Sequence, residues 1–440
     1  MSRILRIELR RSFGIATIVM VVVVGAIMLY AAPQRWSSSW MELMMVQREY
    51  LVLLWPLAIS AGAYQARREH RSKVDELFAS TARPRFQRVV PTLGAVGISV
   101  VAGYLLMIAV AAPWIWDTAR YLPAAAFAVA AVGVLSVIAA AWLGMAVGRL
   151  LPSPVTAPLL GVGALAYLAF LPFALEEWLG ALISPMADMG SFHDFQTISG
   201  RVSAGQAVFL AGLAVAAVVL LAAGSPRARL TALLPALLGL GLGVVVMPHG
   251  DDYVYPATDR VAQELVCAPD LPRVCVSRVH EGLLPEVVPK ARQALALLAK
   301  VPGAPTAAEE KTVTYFEKDA PRPTHGPEIV TIPITVDREG HLAWPGLVVP
   351  RMLDAAGADG LGCEHGGAPD EVARAAGSWL SGVEPVAEPE ESPETNQEAI
   401  ALWNDLRKLP EREALARVTA LREAVVTCKQ TITLGPVKAP

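Results

Sequence analysis

The residues best suited to hydrolytic chemistry are His280 and Glu281, which begin a zinc-peptidase motif, H-E-x-x-H. In that motif two histidines one helical turn apart bind the metal, and the glutamate activates a water molecule. Leu284 occupies the position of the second histidine. A Cys-Glu-His run at 363–365 is a second candidate, but a disulfide explains its cysteine if that part of the chain is extracellular. No G-x-S-x-G sequence marks a serine nucleophile. We therefore predict that the chain is not an enzyme.

The chain also lacks a nucleotide-binding loop of the form G-x-x-x-x-G-K-[ST]. Such a loop cradles the phosphates of ATP with backbone N–H groups and places a lysine on them. We expect no cofactor to bind directly, so ATP-driven work would need a separate subunit that binds ATP and Mg.

Composition divides the 440 residues into two parts, which indicates two different environments. The whole chain is 54% hydrophobic and only 18% charged, too apolar for an ordinary water-soluble protein of this length. Residues 248–440 nevertheless hold 29 of the 40 acidic and 19 of the 37 basic side chains. Their net charge is −10, against +7 for residues 1–247.

Long apolar runs fill the first part and predict membrane-spanning helices, since a crossing needs roughly 20 apolar residues. Seven runs qualify, of which the second is short and begins beside a charged pair. They lie near residues 14–32, 50–66, 89–116, 122–147, 154–175, 205–223 and 230–247. We predict a mainly α, polytopic membrane protein with six or seven transmembrane helices and a C-terminal extracytoplasmic mixed α/β domain.

Basic residues set the predicted orientation, because Lys and Arg in short loops stay on the cytoplasmic side. With the N-terminus inside, fourteen basic residues fall in inner segments and four in outer ones. The four outer residues are Arg35, Arg48, Arg120 and Arg201. The chain is therefore predicted to lie in the plasma membrane, with a cytoplasmic N-terminus and, after seven crossings, an extracellular domain at 248–440.

Cysteine usage gives an independent indication of the same side, because disulfides persist outside the cytosol and are rare within it. All four cysteines lie in the acidic part and allow three pairings. We favour Cys267 with Cys275, and Cys363 with Cys428. Four unpaired thiols in a cytosolic domain are the alternative. A zinc site is disfavoured because no pair has the usual two-to-four-residue spacing.

Residues 1–13 place Ile and Leu among four arginines, a pattern typical of an amphipathic segment on the inner membrane surface. The sequence "RRSF" before an apolar run also resembles a twin-arginine export signal. That apolar run is longer than the core of a removable signal. We therefore predict that residues 14–247, which include this run, form a retained transmembrane domain.

The largest predicted cytoplasmic loop contains a short amphipathic helix near residues 73–82. Ser72 and Asp75 have N-cap spacing, and Pro84 disfavours helix at the residue before it. Val74, Leu77 and Phe78 share one face at helical spacing. On pattern alone this helix is equally consistent with an interfacial segment whose basic neighbours bind anionic lipid.

The order of these parts resembles the membrane subunits of ATP-binding-cassette (ABC) exporters of the ABC-2 type, over residues 1 to about 223. Their loop after the second span reads like E-R-x-x-G-T-x-E-L-L-x-S-T-P-x-S-R, and this chain has "EHRSKVDELFASTARPRFQR" there. Ser72 or Lys73 stands in place of the usual glycine. The resemblance implies a coupling helix at 69–85 that docks in a groove of the ATPase. Its implied ATPase-coupling residues are Glu69, Arg71 and Glu76 on the charged rim and Val74, Leu77 and Phe78 in the groove.

The same resemblance implies a permease that works as a homodimer or heterodimer with two ABC-type ATPase subunits, in contact with membrane lipid and not with nucleic acid. Its cargo would be hydrophobic, peptide-like or lipid-like and would move outward. The proposed span cores lack charged residues, which disfavours an ion-coupled carrier. The alternative is a non-transporting anchor or mechanical signalling subunit whose outer domain binds an envelope partner.

Two outer segments complete the predictions. Residues 176–201 form either an extracellular gate or a solvated loop, and the adjacent His193 and Asp194 are too few for a metal site. In the outer domain, periodicity predicts helices at 283–300, 370–381, 397–408 and 411–427 and strands at 311–317, 328–336 and 427–434. The acidic, proline-rich run at 384–394 is predicted to be a flexible link.

Overall fold

The computed structural model describes residues 14–71, 85–186, 194–249, 257–312, 326–358, 367–388, 392–429 and 433–434. The predicted interfacial segment at 1–13 lies outside them. The chain divides into two compact units. The first contains the chain up to Trp116 and Leu122–Ala257, and the second contains Asp117–Tyr121 and the chain from Thr258 onward.

The first unit is helical. Its helices are α1 (Gly14–Ala31), α2 (Trp40–Glu49), α3 (Leu51–Arg71), α4 (Arg85–Ile115), α5 (Ala124–Leu150), α6 (Thr156–Phe170), α7 (Glu177–Ile183), α8 (Gly200–Ala222), α9 (Pro226–Thr231) and α10 (Leu233–Val246). Short 3-10 helices at Pro33–Arg35 and Pro172–Ala174 and the two-residue strand β1 (Gln196–Thr197) lie between them.

Six helical segments in the described part of the chain are long and apolar enough to cross a membrane. They are Gly14–Ala31, Val89–Ile115, Ala124–Leu150, Thr156–Ala174, Gly200–Ala222 and Pro226–Val246, which correspond to six of the seven predicted runs. The run at 50–66 forms the helix α3 but is not among the six. Its apolar part is too short, because Gln65 and Arg67 follow within the same helix.

Contacts between α1 and α4 show that these two helices run in the same direction. Gly25 of α1 faces Met107 of α4, and Val21 faces Gly103. Residue numbers therefore rise together along the contact. Further along α1, the hydroxyl of Tyr30 donates to a carbonyl of α4 at 3.0 Å. Two parallel helices that are separated in sequence require the chain to return across the unit between them, and α3 is the long helix in that interval.

The helix α3 makes this return along α5, with backbone-to-backbone contacts that only glycine permits. Gly144 of α5 lies against Ile59 of α3, and one turn further Gly148 lies against Ala63. Helices α3 and α5 are therefore parallel. At 21 residues α3 is about 31 Å long, which equals the hydrocarbon thickness of a bilayer.

The remaining long helices continue the alternation. Helix α5 is antiparallel to α4, since the Trp142 indole donates to the Leu93 carbonyl at 3.1 Å near one end and Gly133 faces Tyr104 nearer the other. Helix α6 is antiparallel to α3, because Ser60 contacts its first turn while the ring contact between Trp55 and Tyr167 lies near its end. Helix α10 is antiparallel to α8, with Gly212 on Gly239 and Gly205 near Gly243.

Taken in chain order, α1, α3, α4, α5, α6, α8 and α10 thus alternate in direction. Helices α3 and α8 begin at the same end of the unit, because Arg48, just before α3, donates to Gln206 in the second turn of α8. Both helices therefore run in the same direction. An odd number of alternating helices places residue 14 and residue 246 at opposite ends of the unit.

The second unit is mixed α/β, as predicted for the C-terminal part. Its strands β3 (Leu265–Cys267), β4 (Val274–Ser277), β5 (Ala307–Glu310) and β6 (Ile329–Ile332) form one sheet in that order, and the two-residue strand β2 (Ala257–Thr258) precedes them. Strand β4 pairs antiparallel with β3 and parallel with β5, and β5 is parallel to β6. Its helices are α11 (Arg260–Gln263), α12 (Leu284–Leu298), α13 (Val348–Leu353), α14 (Asp370–Ser381), α15 (Pro393–Arg407) and α16 (Glu411–Val426), with 3-10 helices at Arg278–Leu283 and Asp354–Ala356.

The disulfide between Cys267 and Cys275 is confirmed and joins paired positions of the β3–β4 hairpin. Cys428 is also disulfide-bonded, and its predicted partner Cys363 lies outside the described residues. None of the described cysteines is free, so the alternative of four thiols is wrong.

Periodicity predicted the helices of this unit better than its strands. The four predicted helices are confirmed as α12, α14, α15 and α16. The strand predicted at 328–336 is shorter, because Pro333 lacks the N–H that would continue the ladder. The described residues of the runs at 311–317 and 427–434 are not strands. Within the predicted flexible link, Glu388 forms a 2.7 Å ion pair with Arg351.

A pH-sensitive contact holds the turn after β6 to α12. Residues Asp337 and His341 close the turn through a 2.8 Å backbone hydrogen bond, with Gly340 in the left-handed region at φ 84°. The His341 ring lies 2.5 Å from a carboxylate oxygen of Glu286, whose other oxygen accepts from the Leu342 N–H. The hydrogen bond to Glu286 raises the pKa of His341 above its ordinary value.

We expect this contact to make stability depend on pH in one direction. A raised folded-state pKa means that the contribution is complete below the unfolded pKa of about 6.5 and is lost as pH rises through the folded value. The contribution is at most about 1 kcal/mol, the range of exposed ion pairs. Thermal unfolding of the full chain between about pH 5 and pH 9 tests this. His341→Asn should remove that part of the pH dependence, and an unchanged profile would contradict the assignment.

Candidate functional site

The predicted coupling segment begins in the last turn of α3. Residues Glu69 and Arg71 belong to that turn, and their side chains are outside the described part of the structure. Val74, Glu76, Leu77 and Phe78 lie in the stretch 72–84, also outside it. The docking surface therefore stays a prediction. The helix α3 does continue five residues beyond the predicted end of its span at residue 66, without a break before the segment.

At the other end of α3, a cluster of polar side chains is buried inside the helical unit. Its members are Gln47, Arg48, Tyr104, Ser136 and Gln206, which we call the Arg48 cluster. Helix α2 carries the first two of them directly before α3. The Ser39 side chain caps α2 by accepting from the Glu42 N–H at 3.2 Å, a common N-cap arrangement.

Arg48 lies at the centre of this cluster with 0% of its surface exposed. Its Nη2 donates to the carbonyl of Pro185 at 2.6 Å and to Oε1 of Gln206 at 2.8 Å, and its Nε donates to the same carbonyl at 3.1 Å. The described residues provide it with no ion pair. Among the described residues, the guanidinium is therefore held by neutral acceptors.

Gln206 is itself oriented by α7 and the residue after it. Its Nε2 donates to the carbonyls of Ala181 at 2.7 Å and Ser184 at 3.2 Å. These two bonds identify Oε1 as the atom that faces Arg48. The segment after α6 thus fixes the position of the guanidinium through the Pro185 carbonyl and through Gln206.

Gln47 and Tyr104 form the inner side of the cluster. The Nε2 of Gln47 donates to the backbone carbonyl of Tyr104 at 2.7 Å. The Tyr104 ring is fully buried and reaches Gly133 of α5. A Cβ at position 133 would lie 2.1 Å from the Tyr104 hydroxyl, so any larger residue there would force the Tyr104 ring to shift. Ser136 follows Gly133 by three residues, on the same face of α5.

Four buried polar atoms of the cluster have no hydrogen-bond partner among the described residues. They are Oε1 of Gln47, Nη1 of Arg48, the hydroxyl of Tyr104 and Oγ of Ser136. Each such group costs about 1 to 3 kcal/mol when it is left without a partner. Each of the four atoms also has less than 1 Å² of accessible surface, so no space of the size of a water molecule adjoins it.

Sequence reasoning missed this cluster because it counted Arg48 in an outer loop, whereas the residue lies in helix α2 and is fully buried. A signal was present in the composition of α2. The residues before Arg48 include Leu43, Met44, Met45 and Val46, an unbroken apolar stretch that indicates a helix buried on all sides.

The second unit contains a buried Ser-His-Glu group that does not form a catalytic relay. His280 Nδ1 lies 2.6 Å from Oε1 of Glu310 and 3.3 Å from Oγ of Ser277. Glu310 also accepts from the Ser277 N–H at 2.7 Å. A relay requires the serine and the carboxylate on different ring nitrogens, whereas here both contact the same one. The described residues contain no group of three metal-binding side chains.

The segment predicted as gate or loop is partly described. Helix α7 belongs to it and packs against the 3-10 helix before it, where Gly180 meets the carbonyl of Pro172. Residues 187–193, which include His193, lie outside the described part, so both interpretations of the segment stay open.

Comparisons with family models, with curated proteins and with solved structures gave no match.

Proposed function

We propose that this chain is the membrane-spanning permease subunit of an ABC exporter of the ABC-2 type, energised by a separate ATPase subunit. The observation that carries the proposal is the continuity of α3. This helix leads without a break from the buried interior of the unit to the segment that resembles a coupling helix. A displacement of that segment by an ATPase would therefore reach the middle of the helical unit directly.

The packing of α3 supports this mechanical role. Its face toward α5 meets that helix backbone to backbone at Gly62 and Gly144. Such contacts leave no compressible side chains between the helices, so α3 and α5 would move together. In this proposal the ATPase binds the residues Glu69, Arg71, Val74, Glu76, Leu77 and Phe78.

The alternation of the helices supports a seven-pass arrangement in the plasma membrane. Helix α3 is the least apolar of the seven, which is tolerable for a span that is enclosed by protein rather than by lipid. With the N-terminus inside, seven crossings put the chain after α10 outside. The disulfide in the second unit fits that side. Residues Asp117–Tyr121, the outer connection between α4 and α5 in this scheme, belong to the same unit.

Protease treatment of intact cells tests this topology. We expect cleavage within residues 258–440 and protection of the stretch 72–84. The reverse pattern would contradict the seven-pass arrangement and with it the proposed place of the coupling segment.

The coupling residues are tested by co-purification. We expect the double variant Leu77→Asp, Phe78→Asp to lose most of the ATPase that co-purifies with the wild-type chain, because two charges would replace the apolar face that fills the groove. The loss should be at least about tenfold, which corresponds to 1.4 kcal/mol. Leu271→Asp is the matched control, since Leu271 is 86% exposed in the second unit. Unchanged co-purification of the double variant would remove the assignment of this segment.

Transport itself is tested in inside-out vesicles that contain both subunits. ATP-dependent uptake of a hydrophobic peptide or lipid-like solute is the expected result. An intact complex that hydrolyses ATP but moves no solute would instead favour a mechanical signalling subunit.

A further inference from the structure

We infer that the connection between α4 and α5 is an integral part of the second unit, and that a displacement of α5 is transmitted to that unit through it. The inference rests on contacts within the second unit and on the covalent chain. Its last step, the force that an ATPase would supply, rests on the proposed function.

The connection consists of residues 117–121, which belong to the second unit. That unit holds it first by a backbone contact, because a Cβ at position 282 would lie 1.9 Å from the carbonyl oxygen of Thr118. Connecting segments normally run over the surface of a protein. Thr118 and Ala119 are instead buried, at 7% and 2% exposure. The middle of the connection is therefore packed as tightly as a core segment.

The second holding point is a hydrogen bond at the far end of the connection. The hydroxyl of Tyr121 donates to Oδ2 of Asp259 at 2.9 Å. Asp259 is itself fixed, because its Oδ1 caps α11 by accepting from the N–H groups of Val261 and Ala262 at 3.0 and 3.2 Å. The connection is thus held both in its middle and at the end that leads to α5.

The two holding points are joined to each other within the second unit. Gly282 lies in the 3-10 helix Arg278–Leu283, whose first N–H donates to the carbonyl of Glu264, directly after α11, at 2.8 Å. The side chains of Arg278 and Glu264 also form a 2.7 Å ion pair. Leu283, at the end of the 3-10 helix, belongs to the hydrophobic core of the unit. A load on the connection is therefore carried by close-packed structure.

Little chain remains to absorb movement between the connection and its two helices. Trp116 alone separates it from α4, and Leu122 and Pro123 separate it from α5. The ring of Pro123 holds its φ at −72°. Because one residue spans at most about 3.6 Å, the start of α5 cannot move far without moving the connection.

Helix α5 can carry a displacement along its whole length. It is continuous over 27 residues with no proline inside, which makes it about 40 Å long. Its C-terminal half meets the backbone of α3 at Gly144 and Gly148. In the proposed function an ATPase displaces α3 through the coupling segment. Helix α5 would follow, and the connection would pass the displacement to the second unit.

The test measures the distance between two spin labels on the full chain in detergent. One label is placed at Phe127→Cys, exposed in the first turn of α5, and the other at Arg260→Cys, exposed in α11. We expect one narrow distance distribution. Gly282→Val should lose it, because the new side chain would collide with the Thr118 backbone. Gly346→Val is the matched control in the same unit, with open space around its Cβ, and should keep the narrow distribution.

A second variant covers the case in which Gly282→Val fails to fold. Tyr121→Phe removes only the hydroxyl that donates to Asp259 and keeps the ring, so the unit should fold. It should broaden the distribution, and it then decides the test alone. The inference is overturned by a broad distribution in the chain without further substitutions. Equal broadening in Gly346→Val, or a narrow distribution in folded Gly282→Val, would overturn it as well.

A last arm separates this inference from the proposed function. Adding the ATPase and ATP should shift the distance between the label at Arg260→Cys and one at Val245→Cys, which is 73% exposed in α10. Gly282→Val should lose that shift, and a shift that persists in this variant would overturn transmission through the connection. If no shift occurs while the first distribution is narrow, the ATPase assignment is contradicted and the link between α5 and the second unit is supported.

Discussion

Replacing Gly144 by valine is expected to destabilise the helical unit by about 3 kcal/mol or more and to prevent most of the chain from accumulating in folded form. A Cβ at this position would lie 1.9 Å from the carbonyl oxygen of Ile59. The atom it meets is backbone, so no side-chain rotation relieves the clash. Helix α3 would have to move away from α5 along its whole contact, which includes the equally close approach of Gly62 to the carbonyl of Ala141.

The yield of monodisperse protein after detergent extraction and its thermal unfolding measure this effect. Gly163→Val is the matched control, because Gly163 lies in α6 with open space around the position of its Cβ. Both substitutions place a β-branched residue in a helix, so they share the same change in helix propensity. Equal behaviour of the two variants would show that α3 does not pack against α5 as described.

The close contacts at Gly144 and Gly62 also explain why hydropathy underestimates α3 as a membrane-spanning helix. Hydropathy measures how well a helix dissolves in lipid, and α3 buries much of its surface against other helices instead. Residues such as Leu51, Leu54 and Ala58 are enclosed by protein. A helix in this position is stabilised more by close packing than by transfer into lipid. Small residues indicate such packing only when both of the helices in contact are considered together.

Strands of the second unit were hard to predict for a different reason. Strand β5 reads Ala-Ala-Glu-Glu, residues that are poor strand formers, yet all four are buried between β4 and β6. Glu310 is stabilised there by the His280 ring and by the Ser277 N–H, and Glu309 by Arg273. These are long-range contacts with no local signature, so tertiary structure overrides the local preference.

The Arg48 cluster lay beyond sequence reasoning because its members are spread over four helices. Gln47 and Tyr104 are 57 residues apart in sequence, and Arg48 and Gln206 are 158 apart. A rule that counts basic residues by loop treats Arg48 as exposed, since it has no information on the close packing that buries α2. The helices on which these residues lie were predictable in outline, but the hydrogen bonds that join them were not.

Arg422 of α16 links three separate segments of the second unit, and it is as deeply buried as the surrounding core, at 3% exposure. Its Nε donates to the carbonyl of Gly303 at 3.1 Å and its Nη1 to that of Ala356 at 2.9 Å, while Nη2 donates to Pro327. Burial lowers the pKa of Arg422, but an arginine remains charged at any physiological pH.

The contact with Ala356 has a second consequence. Ala355 and Ala356 have positive φ angles of 46° and 54°, a left-handed conformation that costs about 1 to 2 kcal/mol per residue outside glycine. The hydrogen bond from Arg422 holds the carbonyl that this turn presents. Without it, the turn can relax and the adjacent Gly357, which lies against Leu298 of α12, loses its position.

We therefore expect Arg422→Met to destabilise the second unit by about 3 to 5 kcal/mol, since three buried carbonyls lose a charged donor together. The unfolding temperature should fall by about 10 °C, as measured by near-UV circular dichroism of the full chain. Arg412→Met is the control on the same helix, where the side chain is exposed and the change should stay within about 0.5 kcal/mol. Similar stability of the two variants would mean that the three carbonyls find other donors, and that Arg422 does not fix the turn at Ala355 and Ala356.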